Sequence, residues 1–82
     1  MELNIEYNPQ TDGYCCFFEH NGKGYYADVC ELKYDLMSEC MIFAAQGQKV
    51  TSWTELYCAR GVRVTPEGLR RCIEEFIGGL AK

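Results

Sequence analysis

Basic residues, histidine, proline and long apolar runs are all scarce in this chain, and each shortage removes a class of function. Eight Lys and Arg stand against twelve Asp and Glu, a net charge of −4. That balance lacks the positive field that draws phosphates to a protein, so direct nucleic-acid binding is not expected. It suits an anionic membrane surface no better. No stretch approaches the roughly 20 apolar residues that span a bilayer. The opening segment, Met1-Glu2-Leu3-Asn4-Ile5-Glu6-Tyr7, has no cationic region followed by an apolar one, as an export signal would. The expectation is a cytoplasmic protein whose six cysteines stay reduced.

Catalytic signatures are missing too. The one histidine, His20, sits beside a hairpin turn. Pairing it with Cys15 or Cys16 would still lack a pocket and a third orienting group. The glycines fall at turns and helix ends without phosphate-loop spacing. Glu2, Glu6, Glu19 and Asp28 read as a solvated sheet face rather than an acid–base pair. No C-x-x-C knuckle occurs. Cys15 and Cys16 point to opposite sides of a regular strand, while Cys72 falls in the apolar stripe of a helix, so the thiols read as small packing groups. The chain is therefore expected to be non-enzymatic and to carry no cofactor. A cysteine-based metal or redox domain is the alternative.

What the chain does contain is apolar and aromatic. Hydrophobic residues make up 48% of it, with six Tyr, four Phe and one Trp, which argues for a packed core over disorder. Repeats, low-complexity tracts and linkers are absent, and 82 residues suit one small domain with a thin stability margin.

Residues 2–7 alternate, with Leu3, Ile5 and Tyr7 on one side and Glu2, Asn4 and Glu6 on the other, as a half-buried strand does. Asn8-Pro9-Gln10-Thr11-Asp12-Gly13 is turn chemistry. Strands over 14–19 and 24–30 then flank Asn21-Gly22, a dipeptide suited to the positive φ angles of a type I′ hairpin. That turn sets His20 opposite Lys23, Phe18 opposite Tyr25, Cys16 opposite Ala27 and Tyr14 opposite Val29. Directly opposed residues share a face. One face thus carries Tyr14, Cys16, Phe18, Tyr25, Ala27 and Val29; the other carries Cys15, Phe17, Glu19, Tyr26 and Asp28.

Residues 32–38 have no clear period and read as connection. Residues 39–45 form a short apolar strand, and Gln46-Gly47-Gln48-Lys49 a turn. Segment 53–60 reads as a further strand with Trp53, Glu55 and Tyr57 on one side, although Ser52 and Glu55 also fit the start of a short helix. Thr65-Pro66 marks the start of a helix over about 66–78. Its stripe is Leu69, Cys72, Ile73, Phe76, Ile77 and Leu80, with Gly78-Gly79 as the stop.

These elements predict an α+β fold: an antiparallel β-meander of four to five strands with one C-terminal α-helix packed on one face. A helix of about 13 residues is roughly 20 Å long and covers one face only. Unless residues 31–38 and 46–52 fold over it, the opposite face is left with an aromatic cluster ringed by carboxylates. The predicted partner-binding residues are Phe17, Tyr26 and Tyr57 as anchors and Glu6, Glu19 and Asp28 around them. The expected occupant is a protein partner, with a basic target favoured by the acidic rim, or a second copy in a structural homodimer.

Glu39-Cys40-Met41-Ile42-Phe43-Ala44-Ala45, Trp53-Thr54-Glu55-Leu56-Tyr57-Cys58-Ala59-Arg60, Val64-Thr65-Pro66-Glu67-Gly68-Leu69 and Cys72-Ile73-Glu74-Glu75-Phe76 cover about half the chain. Together they resemble small uncharacterised accessory proteins of bacteria and their phages or mobile elements. The resemblance implies no catalytic residue. By analogy of size and charge it implies an inhibitor or regulator of a basic nucleic-acid-handling protein.

Overall fold

A computed structural model describes residues 2–32 and 37–80. Strands β1 (Glu6–Asn8), β2 (Gly13–His20), β3 (Lys23–Glu31), β4 (Ser38–Gln46) and β5 (Lys49–Arg60) precede helix α1 (Pro66–Leu80). The strands form one antiparallel sheet in the order β1-β2-β3-β4-β5. This is the predicted α+β meander with a C-terminal helix.

The β2–β3 hairpin follows its turn chemistry. Asn21 and Gly22 take φ values of 53° and 78°, and Phe18↔Tyr25, Cys16↔Ala27 and Tyr14↔Val29 pair as expected. Before it, the Asn8 side chain accepts the Gln10 amide hydrogen at 3.1 Å, and the Tyr7 hydroxyl donates to Asp12 at 2.7 Å. Gly13 is required for closeness: a Cβ there would lie 2.0 Å from the Val29 carbonyl oxygen.

β1 is shorter than the predicted 2–7 strand. Leu3 and Ile5 pack against the core from outside the ladder instead. The helix also departs from expectation at its end. Gly78 and Gly79 do not take positive φ, and α1 runs through them to Leu80. At its start the Thr65 hydroxyl accepts the Gly68 amide hydrogen at 3.0 Å, the predicted N-cap.

Helix α1 lies across β2, β3 and β4. Its buried residues Leu69, Cys72, Ile73 and Phe76 meet Cys16, Phe18, Tyr25, Ala27, Val29, Cys40 and Ile42. Phe76 sets its edge on Tyr25 at a centroid distance of 5.1 Å, and Tyr25 stacks on Phe18 at 5.3 Å. Each fully buried aliphatic or aromatic side chain here contributes about 1.5–3 kcal/mol before conformational entropy is subtracted. Among the described residues, no helix is long and apolar enough to cross a membrane.

The last hairpin breaks the simple meander. Ile42 pairs with Tyr57 and Ala45 with Val50, so residues 51–56 of β5 stand against Phe43 and Ala44 alone. The surplus is taken up in two register shifts, a one-residue bulge between Tyr57 and Glu55 and a larger irregularity between Glu55 and Val50. Such features bend a strand and re-aim its side chains. The Ser52 hydroxyl accepts the Thr54 amide hydrogen at 3.2 Å inside this stretch.

Candidate functional site

Cross-strand pairing assembles the face opposite α1. Phe17 pairs with Tyr26, and Tyr26 with Phe43, which makes an aromatic row across β2, β3 and β4. The Phe17 and Tyr26 rings lie 4.7 Å apart. The bulged part of β5 swings Trp53 onto the end of the row, where it meets Phe43 edge-on at 5.4 Å. Phe43 is only 7% exposed and Ala45 8%, although neither is under the helix, while Trp53 is 73% exposed. Gly47 and Gln48 border clefts shared with Phe17, so the β4–β5 turn edges this face. Covering by residues 33–36 lies outside the described residues.

Carboxylates surround the row. The register puts Glu6 opposite Cys15, Cys15 opposite Asp28, and Glu55 opposite Phe43. Glu19, two residues from Phe17, shares the face by strand alternation. Asp28 is anchored: it accepts hydrogen bonds from the Tyr26 hydroxyl at 3.1 Å and the Asn8 amide at 3.2 Å. Glu39, nearly buried, pairs with Arg60 at 3.2 Å.

The remaining described cations lie elsewhere. Arg63 is in the β5–α1 connection, Arg70 and Arg71 are on α1, and Lys23 and Lys49 open β3 and β5. Neighbouring groups register the resulting negative potential. Burial first, then Asp28 and Glu6, push the Cys15 thiol above its ordinary pKa, partly offset by the Tyr26 hydroxyl. Burial and Asp28 likewise raise Cys30 and Tyr26. Cys58 is raised by burial and then by Glu39 and Glu55.

Of the predicted site residues, Phe17, Tyr26, Glu6, Glu19 and Asp28 share this face. Tyr57 does not. It pairs with core residue Ile42, meets Phe76 at 5.9 Å and donates a hydrogen bond to Glu75 at 3.0 Å, all on the helix side. The bulge between Glu55 and Tyr57 reverses the alternation that had grouped them. Phe43 and Trp53 occupy the place Tyr57 was expected to fill. The signal for Phe43 was its position in the strand over 39–45, opposite Tyr26 once β3 and β4 are paired.

All six cysteines are free thiols. Among the described residues no group of three or more His, Cys, Asp or Glu side chains comes together as a metal-ligand set. No protein-family model, curated protein or solved structure matches the chain.

Proposed function

We propose that the chain is a non-enzymatic protein–protein interaction module that docks its open sheet face on a basic protein surface. The observation that carries this reading is the segregation of the two faces. The open one joins exposed and half-buried aromatics to Glu6, Glu19, Asp28 and Glu55, with Arg60, the cation there among the described residues, already paired to Glu39. Large rigid aromatics ringed by polar groups are the usual composition of an interface hot spot. An acidic rim speeds encounter with a basic target and rejects like-charged ones. Two copies stacked face to face would oppose these carboxylates to one another, which argues for a different molecule as the occupant. A basic nucleic-acid-handling protein, inhibited or regulated by occupation of its charged surface, has the matching chemistry.

The test is affinity purification from the native host with wild type, a Phe17→Ser/Tyr26→Ser variant, and an Arg71→Ala control on α1. Wild type and control should retain the same basic partner, hydrogen-exchange protection should map to β2–β4 on the open side, and the double variant should lose both. Unchanged capture by the double variant, with its circular dichroism intact, would overturn the proposal. Sedimentation of wild type as a dimer protected on that same face would overturn it in favour of self-association.

A further inference from the structure

We infer that Trp53 and Glu55 form a clamp for a single arginine side chain, the specificity element of the open face; this rests on the docking reading above. The two residues share one cross-strand neighbour, Phe43. Phe43 pairs directly with Glu55 across β4 and β5, and the Trp53 ring stands against Phe43 at 5.4 Å. The bulges separate these two side chains from the rest of β5 and turn them to the open side, whereas Tyr57, just beyond, turns to the helix. Phe43 is buried and Trp53 is 73% exposed. The indole therefore rests its edge contact on a packed ring while most of its surface is left to solvent.

An exposed indole beside a carboxylate matches guanidinium chemistry. The planar cation stacks on the aromatic face and is only weakly hydrated, while its N–H fork meets the carboxylate in bidentate fashion. A lysine ammonium offers the charge without the planar stack and holds its water more tightly. Arg60, the described cation on this face, is already paired with Glu39 at 3.2 Å. Glu55 thus meets a cation brought by the partner. Glu6, Glu19 and Asp28 lie along the same face and extend the attraction to further basic residues of that partner, which sets the approach but not the choice of arginine.

Trp53 is the sole tryptophan of the chain, so its fluorescence reports on the clamp directly. The experiment titrates the whole protein with octa-arginine, octa-lysine and octa-glutamate peptides, following Trp53 emission and backbone amide shifts at low and high salt. Octa-arginine should bind about fivefold or more tighter than octa-lysine, the margin of one stacked cation, with the largest amide shifts at residues 53–55. Octa-glutamate should not bind, and salt should weaken both cationic peptides. Glu55→Gln should erase most of the arginine preference, and Glu74→Gln on α1 should leave it unchanged. Trp53→Leu, read by amide shifts alone, should bring octa-arginine down to octa-lysine. Equal binding of the two cationic peptides, with shifts at Phe17, Tyr26 and Asp28 but none at 53–55, overturns the clamp and leaves the docking face standing. No shifts on the open face with any peptide overturns both.

Discussion

Both faces of the sheet are built from alternate residues of the same strands and both carry aromatics, yet the two sets meet different fates. On the helix side Phe18, Tyr25 and Phe76 interlock and are buried. On the open side Phe17 and Tyr26 remain half-buried, and Trp53 stands in solvent. Residue type does not separate the sets. On one face α1 supplies Leu69, Ile73 and Phe76 as a third layer; on the other, among the described residues, the bulged hairpin buries Phe43 and leaves Phe17, Tyr26 and Trp53 more open. Aromatics under the helix and Phe43 stabilise the fold, whereas Phe17, Tyr26 and Trp53 keep surface available to a partner.

The sharpest way to break that contrast is to remove a ring from each side. Phe76→Ala empties the place where Phe18, Tyr25 and Tyr57 meet. It should cost roughly 3–5 kcal/mol, enough to leave so small a domain largely unfolded in a urea titration at 25 °C. Phe43→Ala, on the open side, should cost less, about 2–3 kcal/mol, because Trp53 and neighbouring strands rather than a packed helix surround it. Equal losses from the two substitutions would mean that the open side is a second core, and the contrast between the faces would fail.

A smaller effect tests whether the third layer depends on its own start signal. The Thr65 hydroxyl accepts the Gly68 amide hydrogen at 3.0 Å, satisfying one of the donors that a helix leaves unpaired in its first turn. Thr65→Ala should lower the unfolding free energy by about 1 kcal/mol, while Thr65→Ser should recover most of it. A null result in both would mean that α1 is held by its apolar stripe alone.

The helix side was legible in the sequence because each of its determinants is local. Asn21-Gly22 dictates a two-residue turn, and the turn dictates every pair of the β2–β3 register. Thr65-Pro66 and the 3.6-residue stripe dictate where α1 starts and which residues it buries. Gly78-Gly79 misled because glycine permits a left-handed stop without requiring one. The open side was half legible. Phe17, Tyr26, Glu6, Glu19 and Asp28 follow from the same hairpin and from strict alternation, but Tyr57 does not. Its orientation depends on bulges created by matching β5 to β4, a pairing between segments that no short stretch of β5 encodes. Alternation assumes one residue for one across a ladder. Six residues of β5 against two of β4 defeat that assumption at Tyr57, while Trp53, grouped with Glu55 by alternation, does reach the open face.

The smallest expected effect bears most directly on what Trp53 is for. At 73% exposure its side chain has little buried area to expose on unfolding, so Trp53→Ala should cost only about 0.5–1 kcal/mol, its edge contact with Phe43. That outcome would make it one of the largest aromatic surfaces of the molecule with almost no part in the fold, as expected of a group kept for a partner. A loss near that of Phe43→Ala would instead make the indole a lid over Phe43. The double variant separates the cases. If Trp53 is a lid, Phe43→Ala with Trp53→Ala should cost much less than the two changes added together, because rings in contact share one interaction. If Trp53 serves a partner, the coupling should not exceed that of its one edge contact with Phe43, about 0.5–1.5 kcal/mol, and the bulges of β5 are then best understood as the device that presents it.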